Sequence, residues 1–309
     1  MMAMTLIEAA KINSGDVIRA AVIEMFARES DLLMAMPFET IAGNAYKYTL
    51  EGSLPGVGFR GVNEAFAEST GILNPTTEAL AIAGGDMDVD RFIVQTQGER
   101  VRSTHEAMKI KALAAAITQK IIKGDSSINP REFDGWQRRV QGSQVISAGA
   151  TAGGAALSLA ALDEAIDAVD GPTALVMSKA MRRKFTVASR DSAVSGNVQF
   201  GLDQFGRRQV TYNDLPMLVA YDANGGDDIL PFEEAAASGA ATASSIYVVA
   251  FGEGKVVGLQ NGDMDVRDMG ELQAAPVYRT RVEWFVSQAV MHGRALARIR
   301  NIGNLAIVK

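Results

Sequence analysis

The residues whose pattern most resembles chemistry are Gly56-Val-Gly58-Phe-Arg-Gly61, which match the dinucleotide fingerprint G-x-G-x-x-G, with Glu78 at a spacing suited to a ribose hydroxyl. That chemistry needs a buried strand entering the loop and a helix starting inside it, so that a pyrophosphate meets the helix N-terminus. Here Pro55 directly precedes the glycines, the upstream stretch is alternating and tyrosine-rich, and no regular βαβ unit follows. A hairpin tip that needs glycine geometry is the favoured reading. A nucleotide-binding oxidoreductase is kept as an alternative.

Other groupings fail a similar test. Asp86, Asp88 and Asp90 have the opening spacing of a calcium loop, but its sixth position is Arg91 and its twelfth Gln97, where glycine and glutamate are required. Three acids on one face of a strand are better explained as solvated or paired across an interface. Gly149-Ala-Thr-Ala-Gly153-Gly154 precedes a helical stretch but lacks the lysine of a P-loop, and reads as a small-residue connection. Cysteine is absent, which removes disulfides, thiolate nucleophiles and thiolate metal sites. His105 and His292 are the two histidines, in neither a G-x-S-x-G nor an H-E-x-x-H context. No catalytic, cofactor-binding or metal-ligating residue is assigned, no cofactor is expected, and the chain is not read as an enzyme.

Charge bounds the partners. The formal net charge is −6, so a chain-wide electrostatic footprint for nucleic acid is missing. Arg102, His105, Lys109, Lys120 and Lys123 fall on one stripe of a helix at 3.6 residues per turn. A solvated or salt-bridged helix face is the commoner explanation of such a stripe. A DNA-facing surface of Arg102, Lys109, Lys120 and Lys123 is the minority one. Two long uncharged stretches, 141–162 and 235–252, are rich in Ala, Gly, Ser and Thr, and are expected to be buried or looped rather than to cross a membrane.

The elements that would position these residues follow from periodicity. Ser14 or Asp16 caps a helix carrying Val17, Ile18, Ala21, Val22 and Met25, in a stretch that ends near Met36-Pro37. Tyr46, Tyr48 and Leu50 alternate as in a half-buried strand, and residues 78–94 predict a second one. Together with the glycine-rich excursion between them they make a long hairpin that cannot bury both faces within its own chain, which points to a partner. Residues 99–123 form the clearest helix, with Ile110, Leu113, Ile117 and Ile121 on one face and Gly124 as its stop. Residues 157–169 predict a helix, 174–177 a short buried strand, and Ser178 the cap of a helix running through Phe185. Turns are expected at 203–206, 213–214 and 224–226. Ile246–Phe251 is an apolar strand, and 277–307 alternates in long strand-like runs.

This order of features resembles the major capsid proteins of tailed bacteriophages, with the Hong Kong 97-type fold. Local strings carry the resemblance further. Phe133-Asp-Gly135-Trp136 is similar to the family's Phe-x-Gly-Leu turn, with tryptophan in place of leucine. Ala174-Leu-Val-Met-Ser178 before a basic helix resembles its strand-to-helix step, Phe251-Gly252-Glu253 its return turn, and Arg281-Val-Glu-Trp-Phe-Val286 its last arginine-valine strand. The resemblance implies an α+β capsid fold. Residues 1–36 would be an N-terminal arm, 37–94 an extended two-stranded loop, and 95–138 a peripheral domain with its spine helix at 99–123. Residues 139–269 would be a mixed axial domain, and 270–309 the terminal strands of the peripheral domain.

It further implies a structural protein that self-assembles into pentamers and hexamers of an icosahedral shell around double-stranded DNA, bound non-specifically. Portal, scaffold and decoration proteins are the other partners implied, and membranes are not. Assembly would take place in the host bacterial cytoplasm, with any scaffold a separate protein or absent. The contacts expected between subunits are Leu54, Pro55, Val57, Phe59, Arg60 and Phe66 of the loop. Some members of the family crosslink through a loop lysine and an asparagine. The tip here has Arg60 and no lysine, Lys47 lies at the base, and Asn301 and Asn304 lie near the end, so no isopeptide bond is expected. An encapsulin-like compartment, which shares the fold and encloses protein cargo, is the first alternative.

Overall fold

The computed structural model describes residues 4–5, 30–98, 100–190, 198–202, 208–220, 229–237 and 239–308. The expected helix through Val17 to Met25, most of the expected arm, and the turns at 203–206 and 224–226 lie outside these. Among the described residues the chain is α+β, with two large sheets, one isolated hairpin and one long helix.

The long helix explains the first sheet. This helix, α3, runs Arg100–Lys123 and buries Ile110, Leu113, Ala114, Ile117, Ile121 and Ile122, the face its periodicity predicts. Before it come α1 (Asp31–Ala35) and α2 (Arg91–Gln97). Thr118, fully buried on that face, donates its one hydroxyl proton to the Ala114 carbonyl at 2.8 Å and can accept from the Ser30 hydroxyl at 2.9 Å, so it is satisfied without water. The sheet beneath is ordered β1 (Met4–Thr5), β2 (Pro37–Thr40), β13 (Val256–Gln260), β15 (Val277–Val290), β14 (Asp265–Glu271), with β5 (Ala81–Asp90) also on β15. Phe38 and Trp284 pack at 5.2 Å between ring centres, and the Trp284 indole donates to Gln260. Gly258 lies under Phe38, where a Cβ would meet the ring at 2.3 Å. Gln288 donates to the carbonyls of Ile121 and Asp134, tying the end of α3 to β15.

The second sheet is ordered β6 (Val145–Ser147), β16 (Leu296–Gly303), β12 (Ala241–Val249), β7 (Ala174–Met177), β10 (Leu215–Val219), β9 (Arg208–Tyr212), β8 (Val198–Leu202), with β11 (Glu234–Ala235) on β12. Helices α5 (Leu159–Asp167) and α6 (Lys179–Ala188) belong to this part, capped by Ser158 and Ser178. The joint between the two sheets is Phe133-Asp-Gly135-Trp136, followed by the short helix α4 (Trp136–Arg139). Gly135 abuts Gly124: a Cβ at 135 would lie 2.6 Å from the Gly124 nitrogen. Trp136, fully buried, meets Tyr247 and Phe251.

Three expectations need correction. Residues 78–94 are not one strand. The chain leaves the hairpin at Leu80, and β5 pairs instead along β15 from Ala81↔Val286 to Asp90↔Val277. Gly84 permits this approach, because a Cβ there would stand 2.2 Å from the Val282 carbonyl oxygen. Asp90 then ends the strand by capping α2, accepting from the Phe92 amide at 2.7 Å. The expected loop of 37–94 therefore shrinks to the hairpin of β3 (Ala45–Ser53) and β4 (Ile72–Ala79) with its tip.

Secondly, β13 and β14, expected in the axial segment 139–269, join the helix-backed sheet, while β16, expected with the peripheral strands of 270–309, lies inside the second sheet. β16 is buried at most of its positions and lies between β6 and β12, whereas β14 is polar, mostly exposed and sits at a sheet edge. Lastly, Gly56, Gly58 and Gly61 are not among the residues with positive φ, so no left-handed backbone demands glycine at the tip. No described helix is long and apolar enough to cross a membrane.

Candidate assembly surfaces

The hairpin tip concentrates apolar surface that the chain leaves uncovered. Leu54 is 79% exposed, Val57 94%, Phe66 64%, and Phe59 fully so. Burying a side chain of this size on a partner is worth roughly 1.5–3 kcal/mol. Local bonds shape the tip: Gly61 N–H donates to Glu64 at 2.8 Å, Arg60 donates to the Glu64 carbonyl and stacks over the Phe66 ring at 5.2 Å, and Ser69 donates to the Gly56 carbonyl. Pro55 is exposed beside them. No helix starts within the glycine motif. The strand entering the loop, β3, is mostly exposed rather than buried, so both structural conditions for dinucleotide binding are absent from these residues, and the residues expected to meet a neighbouring subunit all stand exposed on the tip.

At its base the hairpin is held by two things. Tyr46, Tyr48 and Leu80 pack on a small apolar cluster of Ile41, Val257, Leu259 and Ala289. Beside it Arg139 donates to both carboxylate oxygens of Glu78, at 2.5 and 2.6 Å, and to the Asp134 carbonyl at 2.8 Å. Tyr48 OH donates to Glu78 at 3.1 Å. Burial first, and the Glu78 carboxylate next, push the Tyr48 phenol up to about 12. Glu78 is therefore committed to Arg139 and Tyr48. A cavity of about 300 Å³, lined by Tyr48, Leu50, Arg139, Gln144 and His292, lies under the hairpin at this point. The sequence carries no signal of this latch, because Glu78 and Arg139 are 61 residues apart and no local pattern joins them.

The acids of β5 are paired within the chain. Asp86 accepts from Arg281 and Asp88 from Arg279, each through two guanidinium nitrogens, and these bonds hold both carboxyls below the usual range. At the other end of the same face, Ile82 and Phe285 stand opposite each other in register, 73% and 41% exposed. Sequence alternation marks Ile82 as a strand residue, but assigning it to the hairpin hides its neighbour.

The cationic stripe is mostly spent internally. Arg102 pairs with Asp268 at 2.5 Å, donates to Thr280 and faces the Tyr278 ring. Lys120 pairs with Glu132 at 2.8 Å. Lys123 is half-buried, and desolvation lowers its pKa. The Lys109 ammonium reaches over β5, 2.8 Å from where a Cβ on Gly85 would be, in the field of Asp86. The four do not form an open basic surface. Of the residues considered for crosslinking, Asn301 is buried, with its side chain bonded to the Gly149 carbonyl and the Ala237 amide.

Comparison with known proteins places this geometry. A family model described as major capsid protein GP7 matches residues 13–162, just under half of the 309. No curated protein sequence matches the chain. Among solved structures, the capsid of an empty GTA particle superimposes with TM-score 0.61 at 14% identity, covering 89% of this chain and 90% of that one. Mycobacterium phage Bobi gives 0.61 at 14%, covering 87% and 89%. The holo-SrpI encapsulin complex of Synechococcus elongatus PCC 7942 gives 0.60 at 20%, covering 90% and 89%. The fold is that of Hong Kong 97-type capsid proteins, and the chain is similar to phage major capsid proteins. The family match and the capsid neighbours together support a role as a shell subunit.

Proposed function

We propose that the chain is the major capsid subunit of a tailed bacteriophage, assembling into pentamers and hexamers of a closed icosahedral shell that encloses double-stranded DNA. The observation that carries this reading is the hairpin. It rises from the body on one latch and one small apolar cluster, and its tip leaves Leu54, Val57, Phe59, Val62 and Phe66 exposed. A second subunit supplies the missing cover. The helix-backed sheet would be the peripheral domain and the second sheet the axial domain, with Leu54, Pro55, Val57, Phe59, Arg60 and Phe66 meeting a neighbour. Repetition by symmetry turns modest contacts into a stable shell. The role is structural, and the protein works in the virion after assembly in the bacterial cytoplasm, with portal, scaffold and decoration proteins as further partners. The encapsulin neighbour supports a second reading, a compartment around protein cargo, which the contents of purified particles separate from the first.

The test is the tip. Phe59→Ser with Phe66→Ser removes exposed rings, so the subunit should unfold at an unchanged denaturant midpoint while shells disappear from electron micrographs. Normal shells from this double variant would overturn the role of the tip.

A further inference from the structure

Among the described residues, a dense run of cations gathers on α6 and just past its end. From Lys179 to Arg190 the sequence Lys-Ala-Met-Arg-Arg-Lys-Phe-Thr-Val-Ala-Ser-Arg holds five cations and no acid, in a chain of net charge −6. Met181 and Phe185 anchor one side of the helix in the core. At 3.6 residues per turn, Lys179, Arg182 and Arg183 fall within roughly 100° of arc on the other side, and Arg190 follows two residues past the helix end. Arg183 and Arg190 are exposed, and Arg182 is partly so. Lys184 sits on the flank and is used locally, donating to the Gly303 and Leu305 carbonyls. Among the described residues, no acid pairs with Arg182, Arg183 or Arg190.

This arrangement works against the helix that carries it. Lys179, Arg182 and Arg183 occupy the N-terminal half, where the helix dipole disfavours cations, and no acid stands in the first turn. Lys179 is also spaced i,i+3 and i,i+4 from Arg182 and Arg183, which sets like charges side by side. On β15, by contrast, Arg279 and Arg281 are paired with acids of the neighbouring strand. A local rule broken this consistently marks a surface selected for something outside the chain.

We propose that the outer face of α6 binds the phosphodiester backbone of the enclosed polynucleotide, and hence lines the shell interior. The inference rests on the shell reading. Guanidinium groups fit phosphate oxygens in a two-pronged geometry. From Arg182 to the helix end at Ala188 is about 9 Å of axis, and Arg190 lies two residues beyond. Duplex DNA carries a charge every 1.7 Å or so of its own axis, so several phosphates lie within reach of the three arginines. A groove beside the arginines, lined by Arg183, Lys184, Val187 and Leu305, would suit an acidic peptide less well, because neither Arg182 nor Arg190 lines it.

The test uses the full chain kept unassembled, with both surfaces open. Binding of a 30-base-pair duplex of mixed sequence is followed by fluorescence anisotropy across a salt series. The variants are Arg182→Gln/Arg183→Gln/Arg190→Gln and, as comparison, Lys109→Gln/Lys120→Gln. Every arginine–phosphate pair that a substitution removes lowers the slope of log affinity against log salt by about 0.9, so the triple variant should drop by about 2–3 in slope and the comparison variant hardly at all. Should the triple variant misfold, Arg183→Gln alone should lower the slope by about 0.9. An unchanged slope, no duplex binding by the wild type at low salt, or equally tight arginine-dependent binding of polyglutamate would each overturn the inference. Electron micrographs of the same proteins moved into assembly conditions keep the two readings apart. Shells with an unaltered slope sink this inference alone, and a wild type that forms no shells sinks the shell reading.

Discussion

Arg139→Ala tests how the hairpin is held. Glu78 and Arg139 are 12% and 13% exposed, and their two bonds of 2.5 and 2.6 Å are charge-assisted. Removing the arginine leaves a buried carboxylate with the Tyr48 hydroxyl as its remaining partner, and removing one member of such a pair costs about 3–5 kcal/mol. Glu78→Ala strands the guanidinium in the same way, relieved in part by the Asp134 carbonyl. Removing both strands no charge, so the double variant should cost no more than either single one, leaving a coupling of at least about 3 kcal/mol. β3 is nine residues long, or about 30 Å, so a 10° swing at its base would move the tip by roughly 5 Å. Either single change should therefore also yield irregular particles. The assay is urea unfolding of the unassembled chain for all four proteins, with amide exchange across residues 45–79. Additive losses, or exchange in the hairpin no faster than in the wild type, would refute the latch.

Two further outcomes follow from the same structure. Gly84→Ala puts a methyl group against the Val282 carbonyl and should destabilise the chain by about 1–3 kcal/mol in urea unfolding, whereas Gly58→Ala, with open space around it, should change little. The Tyr48 phenol is raised to about 12 in the folded chain and ionises near 10 when unfolded, so its contribution is fully present below pH 10 and is lost as pH rises toward 12; Tyr48→Phe should flatten that part of the stability curve measured by thermal melts.

The features legible in the sequence are local ones. The long helix, expected at 99–123, spans Arg100–Lys123, because its apolar period and stop signal are complete within the segment. The strand Ala174–Met177 and its capping Ser178 are legible for the same reason. The partners of β5 are not. Its alternation fits a hairpin arm and a sheet strand equally, and only the register with β15, about 190 residues on, decides between them. The stripe on the long helix misleads for a related reason. Periodicity shows that Arg102, Lys109 and Lys120 share a side, but not that Asp268, Asp86 and Glu132 come from elsewhere to meet that side. The tip is legible as exposed because nothing nearby in the sequence could cover it.

Electron microscopy of the purified full-length protein tests the central claim most directly. Closed, uniform shells built of rings of five and six subunits, with the hairpin of each subunit lying on its neighbour, are the predicted result. Small particles that never close, with the Phe59 and Phe66 tip free in solution at every concentration, would contradict it.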